Sequence, residues 1–134
     1  MSMSKYGTVA VNAVLSILSG NISDPLNAWK EASAKVFGEG TWAQRKGCPK
    51  NAFLGLCEAG LVKGIPAGDY VEISGARKNK GYAVNAIEVL KRRPELSEDK
   101  LGLWRMVMQG NNMSHNSQMD VVLALWNKQL INCE

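Results

Sequence analysis

The chain has one histidine, His115, and three cysteines, Cys48, Cys57 and Cys133, and no two cysteines stand at CxxC spacing. A closed zinc site takes four such ligands in tight sequence pairs, so neither a metal nor a metal cofactor is expected. Three cysteines cannot all pair with one another, and we read them as reduced thiols of a cytoplasmic protein. Long apolar runs are missing too. The longest falls far short of the ~20 residues a membrane-crossing helix needs, and Met1–Lys5 has no apolar signal core. His115 has Ser114 and Ser117 close by in a polar stretch, but no glycine-framed nucleophile turn accompanies them. No acid–base constellation stands out, and no organic cofactor is expected.

What is present is an ordinary globular composition. The chain has 134 residues, 46% of them hydrophobic and 21% charged. That length suits one compact domain over 1–134 and is too short for two ordinary ones. The net charge is +4, unevenly placed. Ten Lys and Arg between Arg45 and Arg93 face four acids, a local excess of +6, so the remainder carries −2. A basic middle segment points to an acidic partner, or else these side chains solvate the polar faces of helices.

Apolar spacing is helical almost throughout. Tyr6, Val9, Ala10, Ala13, Val14, Ile17 and Leu18 recur at three- and four-residue steps, and Gly20 follows as a stop. Asp24-Pro25 reads as N-cap and first helical residue, with a stripe of Leu26, Trp29, Ala32, Val36 and Phe37 ended by Gly38. Residues 39–47 read as loop. Cys48-Pro49 repeats the cap-then-proline pattern before Ala52, Phe53, Leu56 and Cys57, with Gly60 at the C-terminal stop and Leu61 packing back. Helix four spans about Arg77 to Arg92, with Tyr82, Ala83, Ala86, Ile87 and Leu90 inward and Pro94 ending it. Ser97 reads as the cap of helix five, stapled by Leu96 and Leu101, with Trp104, Val107 and Met108 inward. Ser117 and Asp120 form a capping-box pair for helix six, carrying Met119, Val122, Leu123, Trp126 and Leu130. The expected class is all-α, a compact bundle of five or six short helices. A small irregular or hairpin connector falls near 63–74, where Val62 and Ile65 would pair with Tyr70, Val71 and Ile73.

The two halves echo each other, 6–60 against 77–131. Ala10–Val14 matches Ala83–Ile87, Asp24-Pro25-Leu26 with Trp29 matches Asp99-Lys100-Leu101 with Trp104, and Asn51–Leu56 matches Asp120–Leu125 more loosely. We read two related three-helix halves docked on each other. The alternative is that a capped amphipathic helix simply looks like this. In the duplicated reading Asn12 and Asn85 hold equivalent mid-helix places and would pair if buried.

The strings Lys46-Gly47-Cys48-Pro49-Lys50, Ala52 to Glu58 and Gly60 to Pro66 resemble a family of small bacterial proteins associated with mobile gene cassettes. The likeness is densest from about residue 44 to 90. It implies no activity, so it assigns no functional residue.

Three groups of residues carry chemistry. Cys48, at an expected N-cap near Arg45, Lys46 and Lys50, is the candidate for a thiol-dependent enzyme, since helix N-termini and cations favour thiolate. The competing reading is a small cap residue. Arg77, Lys78 and Lys80 crowd a helix start, where the macrodipole disfavours cations, so an anion shared with free N–H groups accounts for them. With Arg45, Lys46 and Lys50 they form the candidate nucleic-acid-backbone face. Met106, Met108, Met113 and Met119 mark a partner or dimer surface, or core filling. The leading expectation is a non-enzymatic protein that binds a macromolecular partner or itself.

Overall fold

Every expected amphipathic stretch forms a helix in the computed structural model, which describes residues 4–71, 77–109 and 117–132. The order is α1 (Lys5–Leu18), α2 (Pro25–Phe37), α3 (Trp42–Arg45), α4 (Gly47–Glu58), α5 (Arg77–Arg92), a 3-10 turn (Pro94–Glu98), α6 (Lys100–Met108) and α7 (Gln118–Asn127). Six of these helices have nine residues or more, α3 is one turn, and no strand occurs among the described residues. The protein is an all-α bundle.

The end signals acted as read at several places. Asp24 accepts from the Asn27 N–H at 3.4 Å, with buried Pro25 next to it. Gly60, at φ +74°, lets the chain reverse after α4. Its N–H donates to the Cys57 carbonyl at 3.0 Å and the Leu61 N–H to Leu56 at 3.1 Å, a Schellman ending. Other signals were displaced. Lys46, not Cys48, holds the cap position of α4, and Cys48 lies inside the first turn. Asp99 caps α6 through the Gly102 N–H at 2.9 Å, because Pro94 starts a 3-10 turn that takes up Ser97 and leaves it two residues short of the cap position. Leu101 is consequently 55% exposed and staples nothing. Ser117 has a left-handed backbone (φ 71°) and makes no capping bond, while Asp120 takes Lys100 Nζ at 2.9 Å.

One interior collects the apolar stripes. Trp29, Phe53, Leu54, Leu56, Ile87, Leu90, Leu103, Met119 and Leu125 are essentially sealed from water. Each such side chain contributes about 1.5–3 kcal/mol of burial free energy before chain entropy is counted. Trp29 stacks obliquely on Phe53 at 5.3 Å, and Tyr82 meets Trp104 edge-on at 5.4 Å. Cys57 is wholly buried, which pushes its thiol pKa up. Asn12 and Asn85 both face solvent, so they do not pair across the core.

No hairpin forms in the described part of the connector. Val62 pairs antiparallel with Ile131, 69 residues along the chain. Lys63 N–H donates to the Leu130 carbonyl at 2.9 Å and Asn132 N–H to the Leu61 carbonyl at 2.8 Å. Tyr70 and Val71 find their acceptor in the Glu58 side chain rather than in a partner strand. The hydrogen-bonded turn is 62–65, with Gly64 at φ +80°, and the Gly68 N–H goes to the Glu58 carbonyl.

Contacts between the halves recur at matching places. α4 lies on α5 as α1 lies on α7, and α4 and α7 touch each other. A Cβ on Gly55 would run into Lys80, and one on Gly7 would come 2.9 Å from the Ala124 Cβ. Gly55 and Ala124 differ by 69 residues, and Gly7 and Lys80 by 73. These are the offsets of the third and first sequence matches.

Candidate functional site

The structure divides the sequence candidates. α5 begins at Arg77, as its periodicity requires, and Lys78 is exposed on the first turn. Lys80 turns toward α4. Its Nζ lies 3.0 Å from Oε1 of Glu58, whose side chain is 97% buried. Glu58 Oε2 accepts from the backbone N–H groups of Tyr70 at 2.8 Å and Val71 at 2.6 Å. One buried carboxylate thus ties the connector and the start of α5 to the end of α4. Tyr82 is occupied against Trp104. Gly75 and Ala76, His115 and Met113, and Cys133 lie outside the described residues.

Cys48 is half-buried in the first turn of α4 beside buried Pro49. Lys50 on the same turn is half-buried. Arg45 and Lys46 belong to a different feature, the turn that joins α2 to α4, and sequence reasoning took that stretch for loop.

This turn is tightly built. Gly38 (φ 95°) and Gly40 (φ 78°) swing the chain off the end of α2. Thr41 donates its hydroxyl to the Gly38 carbonyl at 2.8 Å and accepts from the Gln44 N–H at 3.3 Å. Gln44 in turn accepts the Gly40 N–H at 2.9 Å and donates its amide to the Lys30 carbonyl on α2 at 3.3 Å. On the far side, Tyr6 of α1 donates its hydroxyl to the Ala43 carbonyl at 2.9 Å. The Tyr6 ring packs on Phe37 at 4.7 Å, and Lys46 Nζ sits 5.3 Å above its face. Burial of the Tyr6 hydroxyl pushes its pKa up.

Trp42 stands on this frame with 78% of its surface in water. Arg45, three residues on and also exposed, shares its face of the turn. The signals for the turn were legible: Thr41 and Gln44 stand at capping-box spacing, and Trp42 fits no apolar stripe.

Among the described residues no group of three or more His, Cys, Asp or Glu is placed to hold a metal ion. No described helix is long and apolar enough to cross a membrane. An open cleft of about 260 Å³ between α5 and α6, with Asn85, Arg92 and Arg105 on its walls, includes Met106 and none of the other candidate residues.

Neither the curated proteins nor the solved structures include a match to this chain. Residues 3–132, nearly the whole length, match a family of unknown function (DUF6979), and the chain belongs to that family.

Proposed function

We propose that this chain is a non-enzymatic, cytoplasmic interaction protein that binds a macromolecular partner through the turn bearing Trp42. The observation that carries the reading is the indole itself, 78% exposed on a turn braced by four side-chain hydrogen bonds and the Tyr6 hydroxyl. An ordered, solvated tryptophan does nothing for the fold, whereas tryptophan on a pre-organised surface is a frequent energetic anchor of recognition. The basic segment supplies the charge bias, and Arg45 and Lys46 are its members nearest the indole.

We also infer that the two three-helix halves, 6–60 and 77–131, descend from one unit. The reciprocal bonds Lys63–Leu130 and Asn132–Leu61, and the paired close approaches at Gly55 and Gly7, support this. Each half of ~50 residues would be marginal alone and gains its core by docking. The Trp42 turn is then an elaboration of the first half. Association with mobile gene cassettes belongs to this same reading and rests on the sequence resemblance alone.

The test compares partners captured from the native host by wild-type protein and by Trp42→Ala, each partner then being re-bound in purified form. Loss of a purified partner's binding in the variant supports the reading. Identical binding by both proteins ends it. Turnover abolished by Cys48→Ala would instead establish thiol chemistry.

A further inference from the structure

We propose that the Trp42 turn binds single-stranded nucleic acid, one base stacking on the indole while adjacent phosphates meet Lys5, Lys30, Arg45 and Lys46. This rests on the reading of Trp42 as an interaction residue and adds the chemistry of its partner.

Four cations belong to the three elements joined at the turn. Arg45 shares the turn with Trp42. Lys46 follows it and lies over Tyr6. Lys5 precedes Tyr6, whose hydroxyl holds the Ala43 carbonyl. Lys30 gives its own carbonyl to Gln44. None of the four has a carboxylate within ion-pair distance among the described residues. Five of the other cations have carboxylate partners: Lys80 with Glu58, Lys100 with Asp120, Lys35 with Glu31, Lys91 with Glu88 and Arg93 with Glu95. Of the acids nearby, Glu31 is taken by Lys35, leaving Glu39 in the loop. The uncompensated charge on the elements joined at the turn is positive.

The surroundings of Trp42 favour a nucleic acid over a protein. The core of a protein interface is apolar and depleted of charge. Here the neighbours in sequence are Gly40, Thr41, Ala43, Gln44 and Arg45, and the rings packed under the turn, Tyr6 and Phe37, are spent on each other. A lone aromatic face amid cations is what a stacked base flanked by phosphates requires. A duplex hides its base faces in the stack, so the partner is single-stranded.

The experiment titrates the intact protein with an oligothymidylate of about 12 nucleotides, within the usual span of such sites, and follows tryptophan emission. Trp29 and Trp104 are buried and Trp126 is half-buried, so comparison with the Trp42→Ala protein assigns the quench to Trp42. Quenching is expected. The slope of log affinity against log salt should be about −3 for four phosphate contacts at ~0.7 each. Trp42→Ala should abolish the quench and weaken binding about tenfold or more, and Trp42→Phe should retain most of the affinity. The doubly substituted Arg45→Ala, Lys46→Ala protein should show a shallower slope by about 1.4. No binding at low salt overturns the proposal, as does a duplex of equal length binding as tightly. If polyglutamate binds with the same Trp42-dependent quench while the oligonucleotide does not, the partner is an acidic protein. The nucleic-acid proposal then falls and the interaction reading stands. If binding occurs but is indifferent to Trp42, both fall.

Discussion

Lys80 Nζ lies 3.0 Å from Oε1 of Glu58, and the other oxygen of that carboxylate holds the N–H groups of Tyr70 and Val71. The cation that opens α5 is therefore part of the fold. Removing the carboxylate strands two backbone donors and an ammonium group at once. Glu58→Ala should cost about 3 kcal/mol in urea unfolding. Lys80→Ala should cost less, about 1 kcal/mol, because Lys80 is 30% exposed and water can replace it. Equal costs would show that the carboxylate does not organise the connector.

The same junction demands a residue without a side chain at position 55. A Cβ there would come 2.6 Å from the Lys80 Cα, and backbone cannot swing aside. Gly55→Ala should destabilise by about 2 kcal/mol despite the better helix propensity of alanine. Gly7→Ala, which meets the Ala124 methyl at 2.9 Å, the Asp120 carbonyl at 3.2 Å and the Ser4 hydroxyl at 3.3 Å, should cost less. Thermal unfolding of the two variants side by side checks the order.

Burial keeps the Cys57 thiol protonated far above its ordinary range. In the unfolded chain it titrates near ~8.5. Above that pH the folded state holds a proton that the unfolded state has lost. Stability from this group is thus complete below about pH 8.5 and declines as pH rises, by up to ~1.4 kcal/mol per unit. Cys57→Ala should lose that part of the alkaline slope. Parallel pH–stability curves for variant and wild type would contradict the assignment.

The pairing of Val62 with Ile131 joins the segments that follow α4 and α7. Ile131 is buried and Asn132 donates its side-chain amide to the Gly60 carbonyl at 3.0 Å. Ile131→Ala should cost about 2–4 kcal/mol and Asn132→Ala about 1 kcal/mol. Hydrogen exchange at Lys63 should quicken in both, since its N–H is held by the neighbouring Leu130 carbonyl.

Local rules placed the helices because their signals are local. Asp24-Pro25 and Gly60-Leu61 carry cap and stop within adjacent residues, and both acted as read. Signals that compete with distant partners were not legible. Val62 had a suitable strand neighbour nearby in sequence, yet its partner came 69 residues later. Asp120 stood at capping-box spacing, yet Lys100 claimed its carboxylate. At the candidate site Arg45 and Lys46 were found through charge, while Trp42 was passed over because the glycines around it read as plain loop. The hydrogen bonds through Thr41 and Gln44 turn that loop into a platform.

The claim that Trp42 serves recognition and not folding is tested most directly by measuring unfolding and oligothymidylate binding on the same Trp42→Ala preparation. With Trp42 78% exposed, stability should stay within about 0.5 kcal/mol of wild type while binding weakens about tenfold or more. A variant that binds as before, or one that loses about 2 kcal/mol or more of stability, would contradict the account.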